Sequence, residues 1–211
     1  MQVQNIRPEE IEGESFRIIE QEFYEQTGKR KEAFSPQEFA ILQRVIHATG
    51  DFSFAETLRF HPQAIAQGLA AIRAGKNIYT DVGMVAAGIG GKLTASFGGK
   101  VICRVGDAEV GRLAKETGRT RSETALVMAK DENIGIVAIG NAPTALLALM
   151  ELVRNGQFAP DLVIGTPVGF VNAAESKELL VALDIASIAV VGRRGGSPVA
   201  AAIVNALLKL A

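Results

Sequence analysis

From Asn77 onward, five short apolar runs recur along the chain: NIYTDVG, KVICRVG, NIGIVAIG, DLVIGTP and ASIAVVG. Helical stretches separate most of them: AEVGRLAKETG with RTRSETALVMAKDE, then APTALLALMELVRNG, NAAESKELLVAL and finally SPVAAAIVNALLKL. This succession constrains the fold more than any other feature. A strand with no polar alternation must be covered on both faces, and strands alternating with helices pair in parallel. The pattern predicts an open α/β fold with a parallel sheet of five strands. MVAAGIGGKLTASFGG, between the first two runs, reads as a short helix and a Gly-rich loop.

The N-terminal third reads as helical. EEIEGESFRIIEQEF places Ile11, Ser15, Ile18, Ile19 and Phe23 at roughly helical spacing. In SPQEFAILQRVIHATG, Ser35 is an N-cap, Pro36 suits the first helical position and Glu38 completes a capping box. Phe39, Leu42 and Ile46 share one face, and Gly50 ends the helix. HPQAIAQGLAAIRAG repeats the pattern, with Pro62 near a helix start and Gly75 at its end. With no internal repeat and no low-complexity linker, residues 1–211 read as one domain, the N-terminal helices packed on the sheet.

Charge and cysteine content narrow the function. The 22 basic and 23 acidic residues nearly cancel, which argues against a general nucleic-acid binder. Cys103 is alone, so no intrachain disulfide and no cysteine metal site is expected. The polar, acidic start MQVQNIRPEEIEGE does not read as a signal peptide, and the apolar runs are broken well short of a membrane span. The expectation is a cytoplasmic protein with neither membrane nor nucleic acid as partner.

Open parallel sheets bind ligands beyond the carboxyl ends of their strands. Those ends carry Thr80, Asp81 and Gly83; Gly140, Asn141 and Pro143; Thr166 and Pro167; and Gly192 to Ser197. In GRRGGSP, glycines let a ligand approach the backbone, and the following helix, with Ser197 as N-cap and Pro198 first, offers N–H groups to an anion. Arg193 and Arg194 add charge-assisted bonds to carboxylate or phosphate, or are two solvated arginines on a tight turn. In GNAPTA, Asn141 can cap the next helix and Pro143 start it, which suffices for stability; a ligand contact at the strand end is the other reading. Thr120 and Glu123 in RTRSE have capping-box spacing, leaving Arg119 and Arg121 either solvated or reaching a ligand held by a partner.

Nucleotide and hydrolase signatures fail. In AAGIGGKLT, Ala86 replaces the first P-loop glycine, and Leu93 follows Lys92 where Ser or Thr is required. Leu93 also occupies the third glycine position of a dinucleotide fingerprint, and no G-x-S-x-G elbow or H-E-x-x-H is present. His47 is one of only two histidines and lies in the last turn of its helix, where the helix dipole favours imidazolium. Asp51 follows closely and is expected to act in the same sense, which suits a general acid near neutral pH. Its flank, with Ala40 and Gln43, is distinct from the core stripe; a packed or solvated histidine is the other reading. The residues alone reach an anion-binding α/β protein with a candidate acid.

Taken together, RVIHATGDF, IYTDVGM, SFGG, RTRSETA, IGNAPTAL, GTPVGFVNAAESKE and GRRGGSP, in this order and from IEGESF to the C-terminal helix, resemble the precorrin-8X and cobalt-precorrin-8 methylmutases. The resemblance implies a flavodoxin-like three-layer sandwich with strand order 2-1-3-4-5. It also implies an isomerase of corrin biosynthesis that moves a methyl group between adjacent ring C carbons of a tetrapyrrole, giving cobyrinate or hydrogenobyrinate. The shift is intramolecular, so no cofactor is expected, and any cobalt belongs to the substrate. HATGDFSFAE looks more like the branch using the cobalt-containing substrate. The implied acid is His47. The matching motifs nominate as substrate contacts Ser15, the run Thr80, Asp81, Gly83 and Met84, and the pair Arg121 and Ser122. They add Asn141, Pro143 and Thr144, then Thr166 and Pro167, and finally Arg193, Arg194, Gly195, Gly196 and Ser197. A homodimer is implied, with Arg121 a candidate to cross between subunits. The alternatives are a flavodoxin-like module holding a nucleotide or tetrapyrrole without chemistry, and a sugar-phosphate isomerase, for which no distinctive base is found.

Overall fold

The computed structural model describes residues 6–211; the first five residues of the polar start discussed above lie outside the described residues. After a short 3-10 turn, α1 (Ile11–Thr27) and α2 (Pro36–Thr49) lead into α3 (Phe54–Thr57), β1 (Leu58–Phe60) and α4 (Ala64–Arg73). Then come β2 (Asn77–Thr80), α5 (Gly83–Gly88), α6 (Gly91–Ser96), β3 (Val101–Ile102), α7 (Ala108–Thr117) and α8 (Arg121–Ala129). The chain closes with β4 (Ile134–Ile139), α9 (Pro143–Arg154), β5 (Leu162–Gly165), α10 (Ala173–Val181), β6 (Ser187–Val190) and α11 (Ser197–Leu210).

The sheet has six strands in the order β1-β6-β5-β4-β2-β3, not the expected five. The extra strand, β1, pairs antiparallel with β6, Leu58 opposite Val190 and Phe60 opposite Ile188. It spans only three residues between a helical turn and His61-Pro62, too short for any periodicity to register. The remaining pairings are all parallel. KVICRVG contributes only Val101 and Ile102 to its edge strand, and MVAAGIGGKLTASFGG forms two short helices rather than one and a loop.

Both sheet faces are buried because the central strands are apolar throughout. Ile136 and Ala138 of β4, with Ile164 and Ile188, point into one core shared with α2, α4 and α11. Val137 and Ile139, with Val163 and Ala189, point into the other, under α8, α9 and α10. The N-terminal helices reach this structure through α11: α2 packs along it, and Ile41, Leu42, Val45 and Ile46 are fully buried there. The Ser35–Glu38 capping box and the left-handed Gly50 (φ 65°) bound α2 as the sequence predicts. Glu12 ties the layer down from α1, its carboxylate accepting from Arg44 of α2 and Lys209 of α11 at 2.7 and 2.6 Å. Among the described residues no helix is long and apolar enough to cross a membrane.

Candidate functional site

The parallel strands all end on one side, and three of their ends converge. A Cβ on Gly140, just past β4, would lie 2.7 Å from Val85 Cγ2 of α5 and 2.9 Å from the Ser197 Cα of α11. Only a glycine lets these elements close over the strand end. The turn after β4 is held from below by Asp81, which is fully buried. Its carboxylate accepts the backbone N–H groups of Gly140, Asn141 and Ala142 at 2.9, 2.8 and 2.7 Å. Burial pushes the Asp81 carboxyl upward, and the three N–H bonds oppose that shift. Asp81 is therefore a brace for the β4–α9 turn and, with no exposed surface, not the ligand contact expected of it. Asn141 does not cap α9 either. Ala142 holds the cap position, and Asn141 is exposed.

The loop after β6 is tightly tethered. Gly196 N–H donates to the Thr166 carbonyl at 2.8 Å, and Gly169 N–H to the Arg193 carbonyl at 3.2 Å. Gly195 has φ 144°, and a Cβ there would sit 2.2 Å from the Thr166 carbonyl oxygen, so no other residue fits without moving the loop. Gly196 (φ 116°) occupies the cap position of α11, which moves Ser197 from the expected N-cap into the helix itself. The N–H groups of Gly195 and Ser197 have no protein acceptor among the described residues. The Arg194 guanidinium bonds Asp51 Oδ2 at 2.7 Å and also Ser53 Oγ. Arg193 lies over the exposed Phe170 ring, 5.4 Å from its centroid.

Asp51 thus serves Arg194 and Ser53, whose N–H it accepts at 2.9 Å. The Ser53 hydrogen bonds, with the nearby Arg194 charge, hold its carboxyl below the usual carboxylate range. The expected pairing of Asp51 with His47 is replaced by this one. His47 is exposed and meets the Phe16 ring of α1 edge-on, centroids 5.4 Å apart. With Arg44, Gly88, Pro198 and Asn205 it lines a cleft of about 220 Å³ between α2, the end of α5 and the first turns of α11. The antiparallel sense of β1 makes this possible. Leu58 enters opposite Val190, at the carboxyl end of β6, so the segment leading into β1 hangs at the strand-end side.

The other nominated residues divide. Gly83 and the strongly exposed Met84 start α5 beside the Gly140 contact. Thr80 and Thr166 are buried, their hydroxyls donating to the Ile102 and Ile139 carbonyls at 3.3 Å each. Pro167 is buried beside Thr166. Ser15, next to Phe16, donates to the Ile11 carbonyl at 2.8 Å within α1. Thr144, following Pro143 at the start of α9, meets the Thr120 hydroxyl at 3.0 Å, which joins the α9 start to the α8 start carrying Arg121 and Ser122. Thr120 and Glu123 form the predicted capping box. Arg121, however, lines a groove of about 800 Å³ between α7 and α8 with Arg119 and Lys115, and not the His47 cleft.

Sequence reasoning missed Lys177. It is fully buried on α10 and donates to the Arg194 carbonyl at 2.6 Å, its pKa pulled down to about 8 by desolvation. NAAESKELL offered a signal: Lys177 lies four residues after the buried Ala173 and three before the buried Leu180, on the inward stripe. Ser53 was also missed, being one small polar residue in a loop. Among the described residues no cluster of three or more His, Cys, Asp or Glu could hold a metal ion.

The resulting arrangement is a broad, glycine-lined strand edge with guanidinium groups, unpaired N–H groups and one exposed imidazole beside it. It suits a large ligand bearing several anionic arms. Comparison with known proteins agrees. A family model described as precorrin-8X methylmutase matches residues 10–210. A cobalt-precorrin-8 methylmutase of Priestia megaterium is 42% identical over 207 residues, covering 98% of this chain and 89% of that protein. A precorrin-8X methylmutase of Pseudomonas aeruginosa is 49% identical over 168 residues, covering 78% and 80%. The crystal structure of a precorrin-8X methylmutase from Thermus thermophilus superposes with a TM-score of 0.86 at 41% identity, over 96% of this chain and 95% of that one.

Proposed function

The chain belongs to the precorrin-8X methylmutase family and is an isomerase of cobalamin biosynthesis; from that premise we propose that it moves a methyl group between adjacent ring C carbons of cobalt-precorrin-8, with His47 as the acid. The observation that carries the role of His47 is its exposed ring in the cleft against Pro198, beside the loop that presents free N–H groups. His47 lends a proton to the conjugated macrocycle. That draws electron density from ring C, so the bond from the methyl to one carbon breaks as the bond to its neighbour forms. The proton then returns, and substrate and product are isomers. No external donor, acceptor or cofactor enters this balance, and the cobalt is carried by the substrate.

The acid arms fall to Arg193 and to the N–H groups of Gly195 and Ser197, with Arg194 held close by Asp51. Holding the macrocycle in one shape contributes alongside proton transfer. Since Arg121 lines a different groove from His47, a homodimer in which Arg121 approaches the second subunit's corrinoid is the assembly we favour. The choice of cobalt-containing over metal-free substrate rests on the acidic, aromatic segment after His47, where Asp51, Phe52 and Phe54 follow closely. We read residues 1–211 as one cytoplasmic domain. Counted without β1, the parallel strands run 2-1-3-4-5, which supports a flavodoxin-like sheet extended by one edge strand.

The test is His47→Ala assayed with both cobalt-precorrin-8 and metal-free precorrin-8. Turnover is expected to fall by about 10²–10⁴-fold, the usual contribution of a positioned acid. Melting and cobyrinate binding should change little, because the ring is exposed and the anion contacts lie elsewhere. A folded His47→Ala protein with wild-type turnover removes His47 from the chemistry. Wild-type protein that binds cobyrinate but turns over neither substrate favours the non-catalytic module instead.

A further inference from the structure

A lysine buried without a carboxylate is costly, and an apolar side chain of the same volume is usually as stable or better. Lys177 is such a residue: it has no exposed surface, and no carboxylate forms a salt bridge with it among the described residues. Its one hydrogen bond goes to a neutral group, the Arg194 carbonyl, at 2.6 Å. That carbonyl belongs to the same planar, trans peptide unit as the Gly195 N–H. In such a unit C=O and N–H point in opposite directions. A carbonyl drawn inward to a buried ammonium therefore turns the Gly195 N–H outward, toward the strand-end surface.

The rest of the loop leaves this one peptide to Lys177. Gly196 is fixed by the Thr166 carbonyl and Arg193 by the Gly169 N–H. The Arg194 side chain is occupied by Asp51 and Ser53. The Gly195 backbone, at φ 144°, lies where a freely flipping glycine has alternatives. We infer that Lys177 is a positioning residue for substrate carboxylate: its ammonium locks the Arg194–Gly195 peptide with its N–H outward, and its charge lies directly behind the anion site. This rests on the corrinoid reading above. It adds that the site is set from beneath, by a cation that never touches the ligand.

Lys177→Met keeps the chain length and its packing while removing the donor and the charge. Two measurements decide. The first is backbone hydrogen exchange of the ligand-free protein, which needs no substrate. The second is the cobyrinate dissociation constant by equilibrium dialysis. The expected result is faster exchange confined to residues 192–199, with affinity at least ten-fold weaker. Unchanged exchange in that loop overturns the inference, as does faster exchange throughout the protein or wild-type affinity in a loop that has loosened. If wild-type protein itself fails to bind cobyrinate, the corrinoid reading falls, and the exchange measurement alone still decides whether Lys177 sets the loop. Should Lys177→Met not fold, Lys177→Leu, which likewise carries no donor or charge, takes the same two measurements.

Discussion

Asp81 offers a clean separation between holding a site and touching a ligand. Its carboxylate takes N–H bonds from Gly140 and Ala142, both buried, and from Asn141, an exposed residue whose N–H bond is only partly buried. Asp81→Ala strands these donors at once. At about 1–3 kcal/mol for each buried unpaired donor, the two buried ones and a partial third come to roughly 3–7 kcal/mol. Asp81→Asn is gentler. Its amide oxygen can take the place of Oδ2, which serves Asn141 and Ala142, while its NH₂ meets the Gly140 N–H donor to donor. One buried donor is then lost, about 1–3 kcal/mol. Against a usual domain stability of about 5–15 kcal/mol, the Asn variant stays folded and the Ala variant is marginal. Urea unfolding followed by far-UV circular dichroism should rank them wild type, Asn, Ala. Cobyrinate binding to folded Asp81→Asn should weaken only through a loosened Gly140 turn. The reasoning is refuted if Asp81→Ala costs less than about 1 kcal/mol, or if Asp81→Asn abolishes binding with stability intact.

Gly195→Ala should weaken cobyrinate binding far more than it lowers melting, since its Cβ would displace the Thr166 carbonyl and with it the loop; an unchanged dissociation constant would contradict this. Arg121→Ala and Arg193→Ala should each lose about 1.5–3 kcal/mol of corrinoid affinity, roughly 10- to 100-fold, and if neither variant moves it the anion assignment fails. Glu12, its carboxyl lowered to about 2 by hydrogen bonds from Arg44 and Lys209, contributes stability that is complete above pH 4.5 and lost as pH falls toward 2. Because its side chain is 47% exposed, Glu12→Gln should cost only about 0.5–1 kcal/mol at pH 7 and flatten that acid limb of the unfolding curve.

The parallel core was legible because burial on both faces leaves an unbroken apolar signature: IGIVAI of β4 is buried at all six positions. Caps made by neighbours were legible too, as at Ser35 and Thr120, where donor and acceptor are three residues apart. Contacts made across space were not. Asn141 looked like the cap of α9 because it precedes Pro143, whereas Ala142 holds that position and the Asn141 N–H is itself held by Asp81, about sixty residues earlier. Asp51 looked like a partner for His47 by the same local logic and instead meets Arg194, 143 residues away. Glycines in GRRGGSP announced close approach, yet what approaches them, the Thr166 carbonyl, lies on another strand end. Local chemistry in a sequence identifies which groups need partners; only the folded chain decides which partners they meet.

The short antiparallel strand β1 has a consequence for how copies of this protein can associate. A bare β6 would offer a row of free N–H and C=O groups, the template for fibre-like growth by adding strands. Three residues of β1 cover that row, and the exposed Arg59 at their middle places a charge on the new border. At the opposite border β3 is only two residues long, too brief to register a foreign strand. Both borders are short and one carries a charge, so neither offers a long template for strand addition.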